Sequence, residues 1–146
     1  MMPNPFVSTA LRALLFLGCL AVVPLGQASA QACNSTITFV GTPRLGATIQ
    51  MVISGNSSCH SCLWVSKNPG PTVIGPVTIP IGVPMLNAVD YGQLPPSGML
   101  TVPITIPNDP NVIGLRLYFT NVSFPSGQTP SLTNIVFSPA AILTPV

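Results

Sequence analysis

Apolar residues recur at every second position along much of this chain, and that period constrains the fold more than any other feature. Residues 48–54 place Ile49, Met51 and Ile53 on one face of an extended segment and mainly polar residues on the other. Because successive strand side chains point to opposite sides, this pattern predicts a half-buried strand. Further candidate strands are residues 36–40, 63–66, 73–81, 100–106, 115–120, 135–138 and 141–143.

Proline and glycine divide these segments at short intervals. The turn-forming groups lie at residues 41–43, 68–71, 95–98, 108–111 and 125–127. Many short strands separated by turns predict an all-β fold, namely a single antiparallel β-sandwich of immunoglobulin-like architecture. Pro80 and Pro103 each lack an amide donor, so their strands are expected on sheet edges or at bulges.

The N-terminus has the layout of a secretory signal peptide, which we assign to residues 1–30. An apolar run over residues 13–25 is followed by small residues ending at Ala30. Cleavage is expected after Ala30, with Ala32 as the alternative. The run is shorter than the roughly 20 residues of a membrane span. The mature β-sandwich domain, residues 31–146, is therefore expected to be secreted or at the cell surface, without a membrane span.

Charged residues are scarce in the mature chain. The whole protein has four basic and two acidic residues, and none of them is a glutamate. The mature charges are Arg44, Lys67, Arg116, Asp90 and Asp109. Such a chain has no basic stripe, so no nucleic acid is expected as a partner. A weakly charged surface repels copies of itself poorly. We therefore expect self-association, or binding to an extracellular protein or polysaccharide.

The most conspicuous chemical motif is Cys59-His60-Ser61-Cys62. Thioredoxin-like enzymes place CxxC at a helix N-terminus after a strand, but here a strand-like segment follows. Covalent haem attachment needs histidine directly after the second cysteine, and that position is Leu63. A structural zinc site needs four ligands, which these residues do not supply. We predict no cofactor and no metal.

Hydrolytic chemistry also lacks its residues. A serine-histidine-aspartate triad would have to combine His60 with Asp90 or Asp109, and no Gly-x-Ser-x-Gly nucleophile elbow is present. The same two aspartates would be the only carboxylate pair for glycoside cleavage. We predict no catalytic residues and therefore no enzymatic activity.

Three cysteines remain in the mature chain as disulfide candidates: Cys33, Cys59 and Cys62. Exported chains meet oxidising conditions that favour disulfides. A bridge from Cys33 to either of the others would close about 26–30 residues and contribute roughly 3–4 kcal/mol. The alternative is a local ring between Cys59 and Cys62. In either case we expect a cross-linked loop and one cysteine left over.

Three aromatic residues are candidates for contact with a ligand: Trp64, Tyr91 and Tyr118. By strand parity Tyr118 faces outward, opposite Leu117 and Phe119. Exposed aromatics mark interaction sites in some proteins, whereas tryptophan in a sandwich often belongs to the core.

Three segments together resemble an uncharacterised family of secreted bacterial β-sandwich modules. They are GTPRLG at residues 41–46, IPNDPNVIGLRLYF at 106–119 and LTN at 132–134. The family often has glutamine two residues after the tyrosine, where this chain has Thr120. The resemblance implies a secreted β-sandwich and assigns no catalytic residues.

These observations favour an exported, non-enzymatic β-sandwich with a structural, adhesive or surface-interaction role. The first alternative is an extracellular carbohydrate-binding module that uses the aromatic residues. The second is a thiol oxidoreductase that uses the CxxC motif.

Overall fold

A computed structural model describes residues 32–146, and the predicted signal peptide lies outside them. This part of the chain folds into ten β-strands and one short 3-10 helix, which confirms the all-β prediction. The elements are β1 Ser35–Val40, β2 Thr48–Gly55, β3 Cys59–Ser66, β4 Pro69–Ile74, β5 Val77–Ile81, β6 Asn87–Gln93, β7 Met99–Thr105, the 3-10 helix Pro110–Val112, β8 Leu117–Pro125, β9 Val136–Phe137 and β10 Ala141–Leu143.

Two antiparallel sheets form the sandwich. One has three strands in the order β1-β2-β7, and the other has the order β10-β8-β3-β6 with β9 also paired to β8. These orders correspond to A-B-E and G-F-C-C′ of an immunoglobulin-like sandwich, as predicted. Strands β4 and β5 form a separate two-stranded hairpin that is inserted between β3 and β6. Strands β6 and β7 are edge strands, because each has a neighbour on one side only.

Alternation in β2 builds the core as the sequence predicts. Ile49, Met51 and Ile53 are all buried. From the facing sheet, Leu63 on β3 and Phe119 on β8 pack into the same cluster. Burial of each large aliphatic side chain contributes about 1.5–3 kcal/mol. The two sheets are therefore held together chiefly by residues on alternating positions of β2, β3 and β8.

A polar network is buried between the sheets beside this apolar core. The Asn121 amide group donates to the hydroxyls of Ser35 at 2.9 Å and Ser123 at 2.8 Å. Its carbonyl oxygen accepts from the hydroxyl of Ser61 at 2.6 Å. A buried side-chain amide destabilises a fold unless its hydrogen bonds are made. The hydrogen bonds of Asn121 are made here. The network therefore connects β1 of one sheet to β3 and β8 of the other.

Several strand boundaries differ from the prediction. The predicted strand 73–81 is a hairpin, because Gly75 and Pro76 form a two-residue turn in which Gly75 has φ 58°. Such hairpin turns require a positive φ at their first central residue. The predicted turn at residues 68–71 is correspondingly wrong, since β4 begins at Pro69.

Two other strands differ in extent. Strand β8 begins at Leu117 instead of residue 115 and continues to Pro125. Strand β3 includes the whole CxxC motif, so the expected cross-link is present but the segment is a strand and not a loop. Strand β6 was not predicted at all.

Both prolines lie where the missing amide does least harm. Pro103 is on edge strand β7, and Pro80 is in the two-stranded hairpin. The N–H of Ile106 donates to the Ala47 carbonyl, and the Gly98 carbonyl accepts from the Gly55 N–H. Even-numbered residues of β7 therefore pair with β2, so Pro103 faces the free edge. A strand added to this edge would lack a donor at that position.

Candidate functional site

An opening into the sandwich lies between edge strands β6 and β7. We call it the edge cleft, and its volume is about 450 Å³. Val89 and Tyr91 of β6 line one wall, and Val102 and Ile104 of β7 line the other. Met51 on the central strand β2 lies behind them. Strands β6 and β7 each end their sheet, so the cleft lies at the edge of the sandwich.

The lining of the edge cleft is almost entirely apolar. No charged side chain of the described residues belongs to it, and its polar members are Asn87, Thr105 and the Tyr91 hydroxyl. Burial raises the pKa of Tyr91, so its hydroxyl stays neutral. Pockets of about 300–1,000 Å³ with apolar walls and few polar groups are typical of ligand sites. The cleft is therefore suited to an uncharged apolar group.

The cysteines occupy both faces of the second sheet. Cys33 pairs with Cys59 in a disulfide with a Cα–Cα distance of 5.7 Å and a sequence separation of 26. This bridge ties the segment before β1 to the start of β3. Cys62 is a free thiol. Since Cys59 and Cys62 are three residues apart in one strand, their side chains lie on opposite faces.

The free thiol lies in a shallow apolar groove on the outer face of the five-stranded sheet. We call it the outer groove, about 350 Å³ in volume, and it is lined by Cys62, Trp64, Val122, Phe124, Pro130, Ser131, Leu132 and Ile135. Burial raises the pKa of the Cys62 thiol, a hydrogen bond from the Trp64 indole opposes that effect, and the charge of Asp90 adds to it. A thiol with a raised pKa is a poor nucleophile near neutrality.

His60 and Asp90 form a hydrogen-bonded pair, with His60 Nε2 and Asp90 Oδ1 separated by 2.6 Å. The pair connects β3 to edge strand β6 beside a register shift between Ser61 and Cys62. The Gly92 backbone N–H donates to the same carboxylate, and together with His60 it lowers the pKa of Asp90. The imidazole also stacks on Phe124 at 4.7 Å. These contacts explain the positions of both side chains within the fold.

The three aromatic residues predicted to contact a ligand do not all lie on one surface. Tyr91 lines the edge cleft between the sheets. Trp64 lies on the outer face, where its ring meets Phe137 edge-on at 5.6 Å. Tyr118 lies on that outer face too and is half-buried. A sugar ring stacked on Tyr91 would therefore contact neither of the others.

Sequence reasoning did not find the edge cleft. The alternation of Val102 and Ile104 correctly predicted a half-buried strand. Nothing indicated that strand β6 would leave their inner face partly uncovered. The proline at position 103, which predicted an edge strand, was the one available signal.

Among residues 32–146 no group of three His, Cys, Asp or Glu side chains could hold a metal ion. No helix in this part of the chain is long and apolar enough to cross a membrane.

The fold and the cleft define an all-β, immunoglobulin-like sandwich with an open apolar edge. Neither a protein-family model nor a curated protein matches the sequence significantly. Among solved structures, the chain is similar to Spo0M, a sporulation control protein from Bacillus subtilis, at 10% identity and a TM-score of 0.35. The match covers 76% of this chain and 49% of Spo0M, so the chain spans about half of that protein. A likeness of this size carries no functional conclusion.

Proposed function

We propose that the protein is an exported, non-enzymatic interaction module with a structural or adhesive role outside the cytoplasm. The observation that carries the proposal is the edge cleft, because it is an open, uncharged surface between two edge strands. The signal-peptide pattern at residues 1–30 supports export. The Cys33–Cys59 disulfide is compatible with it, since structural disulfides persist in oxidising compartments.

The arrangement of the CxxC residues supports the non-enzymatic interpretation. Catalytic exchange needs both thiols of the motif on one side of the chain so that they can join and separate. Here Cys59 is bonded to Cys33, and Cys62 lies on the opposite face of β3. Carbohydrate binding stays a prediction. Tyr91 is separated from the two aromatic residues on the outer face, and this arrangement does not favour sugar binding over apolar binding at the edge cleft.

Binding of the neutral apolar dye Nile red tests the cleft. Dye fluorescence is measured as the dye binds to highly diluted protein. The test variant is Val102→Asp, which places a charge on the cleft wall, and the matched control is Thr101→Asp on the opposite face of the same strand. Wild type and Thr101→Asp are expected to bind the dye, and Val102→Asp is expected to bind it at least about tenfold more weakly, as desolvating an unpaired charge requires. Equal binding by all three proteins would overturn the assignment of the cleft.

A further inference from the structure

We infer that the edge cleft of one molecule receives the apolar tip of the β4–β5 hairpin of a second copy, so that the protein associates head to tail. We define the hairpin tip as residues 73–77. This inference rests on the proposed role of the cleft as a binding surface and names its occupant.

The hairpin tip exposes two large apolar side chains to water. Val73 is 67% exposed and Ile74 is 56% exposed. A Cβ atom placed on Gly75 would meet no atom beyond its chain neighbours within 4 Å, so the space beside this residue is open. Exposed apolar side chains on both faces of one hairpin end are the kind of surface that marks an interaction site.

Neither the hairpin tip nor the edge cleft contains a charged residue, so the two surfaces are electrostatically compatible. Between Lys67 and Asp90 the sequence contains no charged residue, and this stretch includes the entire hairpin. The edge cleft likewise has no charged lining residue among those described. Docking would therefore bury apolar groups on both sides without removing an ion from water, which is the main cost of burying polar surfaces.

A molecule cannot place the tip in its own cleft. The buried residues Ile79 and Ile81 fix the hairpin against the sandwich. Pro76 and Val77 share a surface groove with Phe137 of β9, which pairs with β8 on the side away from β6. The tip and the cleft thus belong to different sides of one molecule. A contact between two different surfaces is heterologous, and such contacts build open chains or rings.

Insertion of side chains is favoured over addition of a strand. An extended segment that paired with β7 would meet Pro103, whose missing amide faces the free edge. The cleft itself is lined by apolar side chains from both sheets. Ile74, at the point of the hairpin and 56% exposed, is the side chain placed to enter.

Sedimentation velocity over a range of concentrations tests the contact through complementation. Ile74→Asp removes the inserting side chain at an exposed position, where we expect folding to be kept, and leaves the cleft intact. Val102→Asp blocks the cleft and keeps the tip, with folding checked by circular dichroism. We expect wild type and the control Thr101→Asp to form species larger than a dimer as concentration rises, and each blocked variant to stay monomeric. An equimolar mixture of the two blocked variants should form dimers and nothing larger, because one tip and one cleft remain.

Other results would overturn the inference. They are a wild type that stays monomeric, an Ile74→Asp variant that associates like wild type, and a mixture without dimers. If Val102→Asp does not fold, Ile74→Asp titrated into wild type should still shorten the assemblies by ending chains. Dye binding to the cleft without any association would show that the cleft takes a small apolar molecule, so the proposed function would stand and the second-copy contact would fail. Loss of both would remove both proposals.

Discussion

Cys59, His60 and Cys62 show how strand geometry decides the chemistry of single residues. Once the motif lies in β3, alternate residues share a face, so His60 and Cys62 point outward while Cys59 points toward the facing sheet. The disulfide then forms with Cys33 across the sandwich. The same three residues at a helix N-terminus would have had their thiols on one side. The count of cysteines and the loop length were enough to predict that Cys33 pairs with a cysteine of the motif. The choice of Cys59 over Cys62 required knowing that the motif lies in a strand.

The pKa of Asp90 predicts how stability depends on pH. Its carboxylate is held by the Gly92 N–H and by His60, so its pKa in the folded state is below the unfolded value. Because the unfolded chain then binds the proton more tightly, this contribution is present above about pH 4 and is lost as pH falls through the lowered pKa. Thermal unfolding of wild type and Asp90→Asn between about pH 6 and about pH 2 should therefore show a smaller fall in midpoint for the variant.

His60→Gln serves as the comparison for that measurement. The Gly92 N–H is the larger cause of the lowered pKa and remains in this variant. We expect His60→Gln to keep more of the wild-type pH dependence than Asp90→Asn does. An Asp90→Asn protein with the same pH dependence as wild type would contradict the assignment.

At the scale of elements, the strands that were predicted are those whose two faces differ. In β2 one face contacts the core and the other contacts water, so its alternation was visible, as it was in β7. Strand β6 (NAVDYGQ) is an edge strand with largely exposed residues, so its sequence has little alternation to detect. The edge cleft depends on β6 as one of its walls. It could not have been predicted without knowing which strands become neighbours in space.

The turn before β7 gives a prediction at the same scale. Gly98 has φ 68°. A Cβ atom at this position would overlap the carbonyl oxygen of Gly55. The N–H of Gly55 also donates to the Gly98 carbonyl at 2.8 Å. Gly98→Ala should therefore cost about 2–4 kcal/mol, from backbone strain and from displacement of β2 against β7. The matched control is Gly127→Ala, because Gly127 has φ 80° but open space around it. It should cost only about 1 kcal/mol. Denaturant unfolding measures both, and equal losses would contradict the steric explanation.

At the scale of the whole molecule, apolar surface and scarce charge act together. Three basic and two acidic side chains are spread over residues 32–146, while Val73, Ile74, Val83 and Leu86 are all exposed. Ordinary domains limit such surfaces with charged residues, which both solubilise the chain and repel its copies. A protein that lacks them is expected to have a contact for the exposed groups. The edge cleft is the complementary surface that this molecule offers.

The response of association to salt follows from the same balance. An interface made by ion pairs weakens as ionic strength rises, since salt screens exposed charges over about 10 Å at 0.1 M. An interface between the uncharged hairpin tip and the uncharged cleft has no such pairs to screen. The association constant of wild type, measured by sedimentation, should therefore change by less than about twofold between about 0.05 M and about 0.5 M sodium chloride. Ammonium sulfate should strengthen it, because excluded salts favour apolar burial. Thr101→Asp, with one added charge outside the contact, should follow wild type. A fall of about tenfold with sodium chloride would place ion pairs at the interface and exclude the hairpin tip as its centre.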